Sequence, residues 1–393
     1  MPDALARCVG DVEEFLAGTF TVAPHLRRGA RFDDLLSLAD VDAQLSGAGI
    51  RRPAVRVVRD GQPVDPARWT RRARSGRTWI DDLVHPARLF GLFEEGATIV
   101  LQSLHRWWPP LTRFCRDLEL ALGHAVQANA YLTPPGAAGL VPHHDTHDVF
   151  VLQSHGTKHW CVREPAVEAP LGRHGSDHAE AAGRPVLFEV DLGPGDCLYL
   201  PRGFVHSATT QDGPSLHLTI GVLATTRHDL VRTVVDRVAE DPVFRRSLPV
   251  GHAGGIEEAE RVVKDVVADL VRWLEGLDTA EVATRMVDRE LGRRLPLLDG
   301  HLVDLTRLEG IDDRTRVVVR HGLAWRLDAG GSRSTLVLPD RRIDLPAAVD
   351  AAVLRLLAGK ALPVGALDDL LDGPSRRVLV RRLVREGALR IVD

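Results

Sequence analysis

Ten of the 17 histidines fall between His124 and His217, and three positions in that stretch have the types and spacing for metal chemistry. In PHHDTHDVFVLQ, His143 and Asp145 stand two residues apart, so on an extended chain both project from one face. Further on, DCLYLPRGFVHSATT supplies His206. Two imidazoles and one carboxylate are the donor set of the facial triad that holds Fe(II) and leaves positions open for other ligands. A polar cluster satisfied by its own hydrogen bonds is the competing explanation; the strand-rich context favours the metal, because a triad needs a rigid frame. On AVQANAYLT, Asn129, Tyr131 and Thr133 alternate and share a face, and on SLHLTIGV His217 and Thr219 do the same, which suits walls of one pocket.

The other histidines read differently. His144 and His147 are expected at the surface or facing a substrate, since two further imidazoles would fill the positions that the chemistry needs open. His155, His159, His174 and His178 are expected on solvated loops or faces. Cys161 and Cys197 read as small buried apolar residues rather than reactive thiols.

The elements that position these residues are strands. The runs AVQANAYLT, DVFVLQS, KHWCV, VLFEV, DCLYL, FVHSATT and SLHLTIGV, punctuated by TPPGAAG, LGPGD and LPRG, predict an antiparallel sandwich or barrel. Between two of them, residues 165–183 form a long irregular stretch suited to a substrate lid. Residues 1–120 mix Arg-rich loops such as RRARSGRTW with short apolar helices. Leu111, Phe114, Leu118 and Leu122 mark a lead-in helix after Pro109-Pro110. Beyond Ala224 the pattern becomes helical. Over residues 256–277 an apolar stripe recurs at i, i+3, i+4 and i+7, as a core face or a dimer seam. From about Arg314 the order strand, strand, helix, short helix, helix, strand is compatible with a small winged-helix domain. Arg376, Arg377, Arg381, Arg382 and Arg385 lie on its last helix; against an Arg-rich background a solvated face is preferred to nucleic-acid contact.

Composition narrows the classes further. At 393 residues, 44% hydrophobic, with a formal charge of −4, the chain is expected to bury a sizeable core in two or three domains, and it is no general trap for nucleic acid. Direct nucleic-acid binding is therefore not expected. Cys8, Cys115, Cys161 and Cys197 are scattered, which suits neither a disulfide framework nor a thiolate zinc site. With no leader-like start and no run of ~18 apolar residues, a cytoplasmic protein without membrane association is expected.

The run NAYLTPPGAAGLVPHHDTHDVFVLQSHGTKHWCV, followed by GDCLYLPRGFVHSATT and SLHLTIGV, resembles the JmjC-type ribosomal oxygenases of the cupin superfamily. The resemblance covers about a quarter of the chain. It implies an α+β protein: a double-stranded β-helix, the cupin or JmjC jelly roll, with an N-terminal helical lead-in, a helical dimerisation region and a C-terminal winged-helix-like domain. The corresponding boundaries are 1–224 for the oxygenase domain with its motif core at 125–223, 225–312 for the helical region, and 313–393 for the last domain. It implies metal ligation by His143, Asp145 and His206, with 2-oxoglutarate and O2 as co-substrates. Lys158 would pair with the distal carboxylate of 2-oxoglutarate, consistent with the need of a dianion in a dry barrel for a fixed cation. Lys158 is also one of only three lysines, with Lys264 and Lys360. Asn129 and Tyr131 match co-substrate contacts, with Thr133, His217 and Thr219 lining the same cavity. The implied reaction is hydroxylation of a His or Arg side chain of a ribosomal protein by a homodimer. The alternatives are hydroxylation of a peptide natural-product precursor, N-methyl demethylation at the same iron, and a non-enzymatic peptide- or nucleic-acid-binding cupin.

Overall fold

In the computed structural model, which describes residues 4–47, 49–137 and 141–392, the motif runs become strands. They are β2 (Ala125–Thr133), β3 (Asp148–His155), β4 (Lys158–Pro165), β5 (Val186–Leu192), β6 (Cys197–Leu200), β7 (Phe204–Thr210) and β8 (Ser215–Leu223), preceded by β1 (Thr98–Leu101). One sheet runs His25–Arg27, β6, β3, β8, β2, β1, Val55–Arg59, Gln62–Pro63; the other runs β5, β4, β7. The pairings are antiparallel, and together the two sheets form a double-stranded β-helix. Residues 138–140 of the motif run lie outside the described residues.

The continuous apolar run in β3 has a simple cause. Val149 and Val151 point between the sheets, against Trp160, Val162 and Leu198. Phe150 and Leu152 point the other way, into the core shared with the lead-in elements. A strand covered on both faces loses the apolar–polar alternation of a half-exposed one. Helix α1 (Pro109–Leu122) starts on two prolines and ends at Gly123, whose φ of +73° suits only glycine at low cost. It buries Leu111, Phe114, Cys115 and Leu118. The stretch RRARSGRTW, expected as loop, is a hairpin, Thr70–Ser75 with Thr78–Val84. It is held by surface pairs: Arg72 bonds Asp81 at 2.8 Å and lies over the Trp79 ring. Both faces are largely exposed, so no apolar alternation announced it.

The chain divides into two units, Met1–Ala224 and Thr225–Asp393. In the second, helix α2 (Ile256–Glu275) carries the expected apolar stripe, but none of its residues is buried. Val263, Val267 and Val271 are 49–59% exposed. Two three-stranded sheets follow, one of Leu362–Pro363, Arg316–Val319 and Leu389–Val392, the other of Arg326–Gly330, Arg333–Leu338 and Arg341–Pro346. They pack with Asp350–Leu357 and helix α3 (Gly373–Arg385) around a separate core that includes Leu336, Val353, Val380 and Leu383. The strands Arg326–Gly330 and Arg341–Pro346 were not anticipated, because charged residues interrupt their patterns. On α3, Arg376 and Arg377 pair with Asp313 at 2.6 and 3.2 Å and Arg382 with Glu386 at 2.8 Å. Arg381 donates to the carbonyls of Glu309 and Ile311. Four of the five arginines are thus engaged within the chain.

Candidate metal centre

His143 and His206 meet because a short bridge closes the edge of the smaller sheet. The amide of His143 donates to the His206 carbonyl at 3.2 Å, and that of His206 returns the bond at 2.8 Å. Asp145 is held two residues on, where its carbonyl accepts from the Gly203 amide at 3.0 Å. The amide of Arg202 donates to Asp148 at 2.8 Å, so the PRG turn before β7 is bonded to both ends of the Asp145 segment. Gly203 has a φ of +91°, and a Cβ there would meet the Val167 carbonyl oxygen at 2.0 Å; this tight turn requires glycine.

The ring orientations suit a metal. Nδ1 of His143 bonds the Val141 carbonyl at 2.9 Å and Nδ1 of His206 bonds that of Phe204 at 3.1 Å. Donation from Nδ1–H leaves each Nε2 lone pair free. One ligand atom each from His143, Asp145 and His206 lies within 4.8 Å of the other two, and Nε2 of His206 is 3.8 Å from the Asp145 carboxylate. Burial pushes His206 down to about 4, with His143 adding to the effect, which keeps it neutral as a ligand must be. Burial alone would push the Asp145 carboxyl up; His206, His147, His143 and His144 together hold it below the ordinary range.

The three residues open onto a cavity of about 340 Å³ whose walls also include Asn129, Tyr131, Lys158, His217 and Thr219. Lys158 is buried, and its ammonium donates to Thr133 Oγ1 at 3.1 Å. Desolvation pushes it down to about 7. Thr133 stands behind this lysine rather than on the wall, so in this fold it positions the cation. Tyr131 and His217 stack with ring centroids 5.0 Å apart, as their paired register on β2 and β8 dictates. Burial, then Lys158, holds His217 well below its ordinary range. Asn129 accepts from the Ser103 amide at 3.0 Å, which fixes its carboxamide.

His147, expected at the surface or facing a substrate, is on the cavity wall. Gly221 makes room for it: a Cβ there would lie 2.3 Å from His147 Cδ2. His144 is not at the surface. It is buried, bonding Ser176 and the His174 carbonyl in the 165–183 stretch. That stretch is tied down, with Ala166 donating to Gly203 and His178 bonding the Pro142 carbonyl, and none of its residues lines the cavity. Cys197 is fully buried as expected, whereas Cys161 is only half-buried. Sequence reasoning missed Arg56, Gln127, Trp160 and Ser207 on the wall. Gln127 and Trp160 share strand parity with Asn129 and Lys158, a signal that was available; Arg56 carried none.

Once fold and site are seen together, the comparisons agree with them: residues 105–230 match the JmjC domain family. More particularly, the chain is similar to ribosomal oxygenase 1 of Rattus norvegicus, 38% identical over 174 residues, and to ribosomal oxygenase 2 of Bos taurus, 34% identical over 257 residues. These alignments cover 42% and 61% of this chain but 29% and 55% of the relatives, so the chain matches about half of their length or less. A third relative, from Drosophila simulans, is a bifunctional lysine-specific demethylase and histidyl-hydroxylase, 37% identical over 42% of this chain and 20% of its own length. The fold is shared with the Escherichia coli ribosomal oxygenase YcfD, at 18% identity and a TM-score of 0.54 over 97% of this chain and 98% of that one. YcfD has also been solved with cobalt and 2-oxoglutarate. Among the described residues no helix is long and apolar enough to cross a membrane.

Proposed function

We propose that this chain is an Fe(II)- and 2-oxoglutarate-dependent oxygenase that hydroxylates a His or Arg side chain of a ribosomal protein. The observation that carries the reading is the opening of His143, Asp145 and His206 onto a cavity that also holds the buried cation Lys158. The donor set fits Fe(II): two imidazoles with Nδ1 occupied and Nε2 free to ligate, one carboxylate, and no thiolate. When bound, iron and 2-oxoglutarate supply the activation of O2 that no amino-acid side chain provides. The chain's own part is placement. Lys158, backed by Thr133, offers the fixed charge for the far carboxylate, while Tyr131, Asn129, His217 and Thr219 shape and desolvate the space between that anchor and the triad.

The names of the relatives support a ribosomal-protein substrate, and that of the Drosophila protein supports N-methyl demethylation as a second reading. The exposed stripe of α2 supports a homodimer formed through residues 225–312, and the two small sheets packed with Asp350–Leu357 and α3 support reading 313–393 as a winged-helix-like domain, distinct from the 1–224 oxygenase domain. Four free cysteines support a reducing, cytoplasmic setting. The test is turnover of 2-oxoglutarate by the full chain with Fe(II) and isolated ribosomal proteins. Succinate release with a +16 Da shift at one residue is expected. Formaldehyde release without that shift selects the demethylase, and failure to bind either metal or 2-oxoglutarate overturns the oxygenase reading.

A further inference from the structure

The cavity wall holds one cation that neither the triad nor the Lys158 anchor explains. Arg56 lies on the strand Val55–Arg59, opposite Val100 of β1, which is opposite Tyr131 of β2, itself opposite His217 of β8. Directly opposed residues share a face, so these four form one row that begins with Arg56, and Arg56, Tyr131 and His217 all line the cavity. Its Nε is buried without a hydrogen-bond partner, and among the described residues no carboxylate lies within ion-pair distance. Arg59 on the same strand, by contrast, pairs with Glu95 at 3.1 Å.

A guanidinium with an unpartnered Nε–H is chemically suited to take both oxygens of a carboxylate through parallel N–H donors. Asp145 is the one acidic residue among the described wall residues. Resting on the function proposed above, the charges of a divalent metal, Asp145, Lys158 and dianionic 2-oxoglutarate cancel, which leaves Arg56 as an unbalanced positive charge beside the reacting space. We propose that Arg56 binds a carboxylate of the substrate, an Asp or Glu flanking the side chain to be oxidised, so that the site selects an acidic segment.

The test uses the full chain loaded with Mn(II) and 2-oxoglutarate, titrated with fluorescein-labelled heptapeptide pools that have a central His or Arg flanked by Glu, Gln or Lys. Anisotropy should show the Glu pools binding about tenfold or more tighter than the Gln pools, the size of a well-formed charge pair. Arg56→Met should erase the difference and Arg56→Glu should turn the preference toward Lys. Equal affinity of the native chain for Glu and Gln pools overturns the proposal. So does a loss of 2-oxoglutarate affinity in Arg56→Met as large as in Lys158→Met, since the guanidinium would then serve the co-substrate. Binding of 2-oxoglutarate is read independently by tryptophan fluorescence. Its absence in the native chain overturns the oxygenase reading and this one with it, whereas equal peptide affinities with intact 2-oxoglutarate binding overturn only the role of Arg56.

Discussion

Lys158 is the residue whose chemistry depends most on its surroundings. Burial brings its pKa down to about 7, against roughly 10.4 in an unfolded chain. Between these values the folded chain binds fewer protons than the unfolded one, so stability without ligand rises with pH from about 7 to about 10. Thermal melts of the native chain and Lys158→Met should diverge across that window. A dianion needs the charged lysine, so 2-oxoglutarate affinity should fall by up to about tenfold per pH unit above ~7. Lys158→Arg, which keeps its charge, should bind with a flat profile in calorimetry. Lys158→Met should weaken 2-oxoglutarate by roughly 10- to 100-fold, the worth of a charge-assisted hydrogen bond. At the triad, His206→Ala removes one of the three proposed ligands. Mn(II) affinity should drop by more than ~10-fold in a paramagnetic titration, and succinate release should cease.

At the scale of elements, β8 serves the site as much through a missing side chain as through those it has. His217 and Thr219 face the cavity from it, and Gly221 on the same face leaves the space that His147 fills. A methyl group 2.3 Å from His147 Cδ2 cannot be accommodated without moving the ring. Gly221→Ala should cost about 1–3 kcal/mol in denaturant unfolding, and the double variant with His147→Ala should recover most of that loss; a simple sum of two losses would refute the contact. The strands themselves were legible, because motif runs from Ala125 to Leu223 alternate or are β-branched and end in Pro/Gly turns. The hairpin Thr70–Val84 was not, since cross-strand pairs such as Arg72 with Asp81 leave no periodic apolar mark.

At the scale of the molecule, α2 exposes a stripe that its amphipathic pattern would ordinarily bury. If it is a seam between copies, Val263→Glu with Val267→Glu should convert a dimer into monomers by light scattering without changing 2-oxoglutarate affinity. An unchanged mass would show that α2 is not the seam. The arginines of α3 show the opposite outcome: their run suggested a basic face, yet Asp313, Glu386 and main-chain carbonyls take up four of them.

Local patterning carried the centre of this protein. The two-residue step from His143 to Asp145 determines that both project from one side of an extended segment, the PRG turn marks the approach to His206, and alternation groups Asn129 with Tyr131 and His217 with Thr219. Those relations depend only on the geometry of a few consecutive residues. Tertiary structure decided everything that depends on sheet order and register. It put Thr133 behind Lys158, turned His144 inward and His147 to the wall, and brought Arg56, far from every motif, into the row of Tyr131 and His217. Strand neighbours in a jelly roll are distant in sequence, so which side chains share a wall is settled by pairings that no local period encodes.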